Sequence, residues 1–165
     1  MLFQKLEKSK IKKILVVSLT NIGDTVLTCP VIDALIAYLP LAEISVVTGP
    51  KVKTLFEGNP YIKRTYIYTK NETAGQLLSL FAELRKQKFD AVIDLRHTAL
   101  AYFLGAPVRT PLFFNKRNSI HKKDQHFERL QKVFSDIQYS RNRYAIFTDG
   151  ASRKKAEDLI RQFLE

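Results

Sequence analysis

The sequence predicts an α/β fold built on a parallel sheet with helices on both faces, and three observations predict it. Short apolar runs rich in β-branched residues recur along the chain, the signature of strands buried on both faces. Between them lie segments whose apolar residues are spaced three and four apart, as in helices packed against a core. Glycine and proline punctuate the junctions, and repeated strand–helix units of this kind imply right-handed crossovers.

The first strand is read at Ile14 to Leu19. A helical pattern starts at Asp24, carries Leu27, Val31, Ala34 and Tyr38 on one face, and stops before Pro40. Pro30 lies inside it and predicts either a kink or a short first turn followed by a main helix starting near Pro30. Ile44 to Thr48 is the second strand, ending at the turn signal Gly49-Pro50, with a short helix around Val52 to Phe56. The run RTYIYT from Arg64 alternates as a third strand, Leu77, Phe81 and Leu84 mark a third helix, and DAVIDL from Asp90 is a fourth buried strand. A small helix follows near Ala99 to Leu104, then a strand around Val108 and a Phe-rich basic loop from Phe113 to Lys123. Phe127, Leu130, Phe134 and Ile137 mark a further helix, RYAIF a strand, and Leu159, Ile160 and Phe163 one face of a final helix.

With 165 residues the chain is expected to form one domain with a single hydrophobic core. Cys29 is the only cysteine, so no intrachain disulfide and no cysteine-based metal cluster forms, which fits a reducing compartment. The lysine-rich opening is followed by only a strand's length of apolar residues, and no window approaches the roughly 20 needed to span a bilayer. The expectation is a soluble, cytoplasmic protein. A formal net charge of +11 asks for an acidic partner: nucleic acid, an anionic membrane surface or a phosphorylated substrate. Its basic clusters are Lys5, Lys8, Lys10, Lys12 and Lys13, and again Lys116, Arg117, Lys122 and Lys123. A solvated surface explains such clusters equally well.

Open parallel sheets bind ligands beyond the carboxyl ends of their strands. Two loops lie there, Thr20 to Asp24 and Arg96 to Thr98. Gly23 suits a tight strand-to-helix turn, and Asp24 stands near a helix N-terminus, where it has two readings. It caps the helix, or it takes a proton from a bound hydroxyl as a general base. Arg96 and His97 read either as an anion-binding pair or, for Arg96, as the partner of Asp94 or another nearby acid. No phosphate-binding glycine loop occurs, which disfavours a free-standing dinucleotide-binding domain. His97, His121 and His126 have no metal-site spacing, so no metal is expected, and His126 reads as a helix-surface or capping residue. Phe113 and Phe114 among basic residues read as a hydrophobic anchor sooner than as a base-stacking platform.

The stretch KKILVVSLTNIGDTVLTCPVIDALIAYLPLAEISVVTGP resembles the start of the heptosyltransferase family of glycosyltransferases, often called family nine. It shows the strand, the Gly-Asp pair, a Thr-x-Pro step in the helix, and a second strand ending near Gly-Pro. FDAVIDLRHT resembles the family's fourth strand and its loop, and HFERL its later His-containing helix, so the similarity runs from about Lys12 to Leu130. The resemblance implies a Rossmann-like, acceptor-binding domain across residues 1–165, one half of the two-domain GT-B arrangement, whose C-terminal donor-binding domain this sequence lacks. It implies transfer of a sugar from ADP-heptose to the phosphorylated, acidic inner core of lipopolysaccharide at the cytoplasmic face of the inner membrane, which would account for the positive charge. On this pattern Asp24 is the general base of an inverting reaction that requires no metal and no cofactor. Asn21, Gly23, Arg96 and His97 are carried to substrate contacts by their loop positions. Without the donor half the chain alone is expected to be inactive. The competing expectation is a non-catalytic basic module for an anionic glycan, lipid or nucleic acid, with nucleic acid ranked last.

Overall fold

The computed structural model describes residues 8–69, 73–96, 98–112 and 121–148, together with Gly150 and Lys154. After a 3-10 turn at Lys8–Lys10 come β1 (Lys13–Val17), α1 (Ile22–Val26), α2 (Cys29–Tyr38) and β2 (Glu43–Thr48). A 3-10 turn at Pro50–Val52 leads into α3 (Lys53–Phe56), β3 (Ile62–Ile67), α4 (Ala74–Lys86), β4 (Ala91–Asp94), α5 (Leu100–Phe103), β5 (Val108–Arg109) and α6 (Lys122–Gln131). The sheet is wholly parallel in the order β3-β2-β1-β4-β5. The chain therefore builds outward from β1 to β3, crosses back, and continues on the other side through β4. β1 and β4 are neighbours at this reversal, the place where open sheets take their ligands.

Both faces of the sheet are buried, which is why its strands read as continuous apolar runs. Ile14 and Val16 of β1 join Val31, Ile32 and Leu35 of α2 and Leu130 of α6 in one core. Leu15 and Val17 pack on the opposite face with Leu84 of α4, Val92 of β4 and Ala101 of α5. Pro30 takes the second of its two readings: α1 is a short first helix, and α2 restarts at Cys29 with the proline in its opening turn, where no hydrogen-bonding N–H is required. Among the described residues no helix is long and apolar enough to cross a membrane.

Two sequence expectations are corrected. The helical pattern through Phe134 and Ile137 outlasts its helix, which ends at Gln131; these two side chains stay buried in the core from the turns that follow. RYAIF forms no strand, because its backbone groups are taken by side chains. Asp33 Oδ1 accepts the N–H groups of Tyr144 and Ala145 at 2.6 and 2.7 Å, while Asn59 Nδ2 donates to both carbonyls at 2.7 and 2.9 Å. The final helix with Leu159, Ile160 and Phe163, and Phe113, Phe114, Lys116 and Arg117 of the basic loop, lie outside the described residues.

Burial raises the Asp33 carboxyl above its ordinary value of 3.8, and the bonds from Ala145 and Tyr144 hold it back only in part. In the window from 3.8 up to the raised value, the folded protein keeps a proton that the unfolded chain has released, so this contribution to stability is lost as pH rises. Asp33→Asn keeps the Oδ1 acceptor and removes the titration. Urea unfolding of both proteins from about pH 3 to pH 7 is expected to show the variant gaining on the wild type as pH rises. Parallel curves would contradict the assignment.

Candidate functional site

Hydrogen bonds carry the sheet ladder past the strand ends and tie the loops at the carboxyl edge together. Leu95 N donates to Val17 O at 3.0 Å, and Ser18 N to Val47 O at 2.9 Å. The Leu19 carbonyl accepts the hydroxyls of Thr25 and Thr48, each at 2.9 Å, which pins the loop after β1 to α1 and to the end of β2. The Thr28 hydroxyl donates to Thr25 O at 2.7 Å, so its 2.9 Å contact with Ser18 is donated by the serine. This loop lies directly on Gly49: a Cβ there would stand 2.7 Å from Thr20 O, so the close approach requires glycine. That demand falls on Gly49 and not on Gly23, which sits within α1 with open space where a side chain would be.

Asp24 is not the cap of α1. Asn21 occupies that position with extended backbone, and its carbonyl accepts Thr25 N at 2.9 Å. Asp24 is the third residue of the helix, half-buried, and its only hydrogen bond among the described residues is a long one, 3.4 Å, donated by Asn21 Nδ2. Its carboxylate is held near the helix N-terminus, with lone pairs left over for a ligand.

The neighbouring loop after β4 is organised by Asp94, which is 1% exposed. Its Oδ1 accepts Arg96 N at 2.9 Å and its Oδ2 the Thr98 hydroxyl at 2.5 Å. Burial raises the Asp94 carboxyl, while the bonds from Thr98 and Arg96 and the charge of buried Arg129 oppose the rise. The Arg96 guanidinium does not pair with Asp94. It stands over the Tyr68 ring, 4.3 Å from its centroid, reaching across the ends of β1 and β2 toward that of β3.

The structure thus brings Asn21, Gly23, Asp24 and Arg96 to one edge, on the loops of two adjacent strands. His97 lies outside the described residues. His126 falls inside α6; the cap is His121, whose Nδ1 accepts Lys123 N at 3.2 Å. Asp94, Thr98, Tyr68 and Arg129 were not singled out as site residues from sequence. A signal existed for Asp94, an acid closing an otherwise apolar strand with a hydroxyl four residues on, whereas Tyr68 is paired with Arg96 only by the fold. Among the described residues no group of three or more His, Cys, Asp or Glu side chains is placed to hold a metal ion.

No family model matches the chain, and no curated protein does. Solved structures do resemble it. The glycosyl transferase family 9 protein of Veillonella parvula matches with a TM-score of 0.73 at 22% identity, over 98% of this chain and 52% of that one. The ADP-heptose lipopolysaccharide heptosyltransferase II of E. coli matches at 0.65 and 18%, over 90% and 50% of the two chains. E. coli heptosyltransferase WaaC, solved with ADP, matches at 0.61 and 15%, over 79% and 49%. The chain therefore spans about half the length of each. Identities this low establish the shared fold, and the Rossmann-like layout expected from the sequence is the one these glycosyltransferases contain.

Proposed function

We propose that this chain is the acceptor-binding half of an inverting glycosyltransferase of heptosyltransferase type, with Asp24 as its general base. The observation that carries the reading is the position of the Asn21–Asp24 loop. It lies at the carboxyl edge of β1, next to β4, on a fold shared with enzymes of that type. The Asp24 carboxylate accepts the proton of an acceptor hydroxyl as that oxygen bonds to the anomeric carbon of ADP-heptose. The bond from that carbon to the diphosphate breaks on the opposite side, and ADP leaves with the electron pair, inverting the centre. Asn21 Nδ2 orients the carboxylate. Open space beside Gly23 leaves room for the sugar to approach the backbone. Arg96 presents a fork of donors to an anionic group, and His97 completes the acceptor contacts.

The acceptor in this reading is the phosphorylated inner core of lipopolysaccharide, met in the cytoplasm at the inner membrane, and the charge of +11 fits it. ADP-heptose and the stabilisation of its leaving group belong to a second domain, so the chain alone is inactive. No metal, cofactor or nucleic acid enters the reaction.

Calorimetry separates the two roles. Deacylated inner-core oligosaccharide is expected to bind the chain, less tightly in high salt and less tightly to Arg96→Ala, while ADP-heptose gives no binding heat. Binding of ADP-heptose without binding of the oligosaccharide would assign the chain to the donor side and overturn the reading.

A further inference from the structure

We propose that the cavity between α4 and α5 binds one hydrocarbon chain of an anionic amphiphile, with its charged head held at Arg96. The cavity measures about 470 Å³, within the range of small-molecule sites, and opens at the same edge of the sheet as the candidate site. Val17 and Val47 floor it, Leu77, Leu80 and Phe81 of α4 form one wall, and Leu100 and Phe103 of α5 the other. Phe81 and Phe103 meet edge to face across it at 6.4 Å between centroids. Arg96, Thr98 and Tyr68 bring the polar groups of its lining, and no acid lines it among the described residues.

The surrounding surface points to the same occupant. The capping box of Thr73 and Gln76 starts α4 above the sheet, and every residue from Thr73 to Ser79 is exposed, Leu78 at 67%. Across the opening Phe103 is 63% exposed. Apolar side chains clustered around an opening mark a binding surface. Two cations stand beside it: Arg85 donates to the carbonyl of the lining residue Phe103 at 2.7 Å, and Arg96 lies over Tyr68. The single acid of α4 and α5, Glu83, is already paired with Arg64 at 2.7 Å. An apolar cavity with arginines beside it is complementary to an alkyl chain bearing a negative head. The inference rests on the proposed acceptor role only in identifying that amphiphile with the acceptor; binding itself stands apart from sugar transfer.

The test titrates the chain with octyl, decyl, dodecyl and tetradecyl phosphate below their micelle-forming concentrations, with inorganic phosphate and dodecyl maltoside as controls. Affinity is expected to rise about fourfold per methylene and to level off once the chain outgrows the cavity. Inorganic phosphate alone is not retained. Arg96→Gln weakens dodecyl phosphate about tenfold and leaves dodecyl maltoside unchanged. Ala99→Trp, which fills the cavity, abolishes the dependence on chain length, and Leu77→Gln at an exposed position weakens binding several-fold without burdening the fold. Asp24→Asn binds like the wild type, so loss of transfer and loss of this site are read separately. Affinity independent of chain length, or unchanged in both Ala99→Trp and Leu77→Gln, would overturn the proposal. So would uptake only onto phosphatidylglycerol vesicles, equal in Ala99→Trp, which makes the face a membrane contact. A dimer dissolved by Leu78→Asp, without alkyl phosphate binding, gives the face to a second copy and overturns it too.

Discussion

Replacing Asp24 with Asn is expected to lower sugar transfer by a factor on the order of 10² to 10⁴ once the chain is completed with a donor-binding domain. A positioned carboxylate contributes that much when it takes the proton of an attacking hydroxyl, and the amide that replaces it cannot accept the proton. Stability is expected to change by no more than about 1 kcal/mol, the worth of a charge in the first turn of a helix. This pairing of outcomes separates the two roles open to Asp24 in the sequence. A capping aspartate would lose stability first, but Asn21 holds the cap position, and the carboxylate receives only a 3.4 Å contact from Asn21 Nδ2. Thermal unfolding and initial transfer rates on the same variant check both halves. Unimpaired transfer with a lowered melting temperature would return Asp24 to a structural role.

Asp94→Ala is expected to cost about 3 kcal/mol in folding free energy and to release the loop that carries Arg96. Its carboxylate is buried, and removal leaves Arg96 N and the Thr98 hydroxyl without their acceptor. It also withdraws the negative charge facing Arg129, itself 1% exposed, from α6. Burial of the Asp94 carboxylate is unfavourable in itself, as its raised pKa records, so the loss comes from the donors and the cation left behind. Chemical unfolding measures the cost. The expected companion is weaker binding of an anionic acceptor, since Arg96 loses the turn that aims it across β1 and β2. A variant as stable as the wild type would show that the loop is held from elsewhere.

The strands were legible because burial on both faces leaves a local mark. Ile14 to Val17 and Ile44 to Val47 send alternate side chains into two cores, and nothing polar interrupts them except Ser45. Pro30 likewise left only two local solutions, and the structure takes one. What escaped the sequence depends on partners distant along the chain. Residues 143–147 carry a short apolar run, yet Asp33 and Asn59 claim the backbone groups of Tyr144 and Ala145, and among the described residues no strand pairs with them. The third strand begins at Ile62, earlier than its aromatic alternation, because it pairs with β2 through Ile44. At the site, the loops were legible from topology and the roles of their residues were not. Whether Asp24 caps depends on the backbone of Asn21, and whether Arg96 pairs with an acid depends on where Tyr68 arrives. Glycine was read at Gly23 for its position after a strand, whereas the close approach that requires glycine is between Thr20 and Gly49.

The central claim is that this chain supplies the acceptor half and the base of a sugar-transfer site. Its most direct test is transfer from ADP-heptose to lipopolysaccharide inner-core acceptor, measured for the chain alone, for a separately expressed donor-binding domain alone, and for the two combined. Product is expected only from the combination, and none when the chain carries Asp24→Asn. No product from the combination, with both parts folded and the acceptor bound, would contradict the claim and leave a basic binding module in its place.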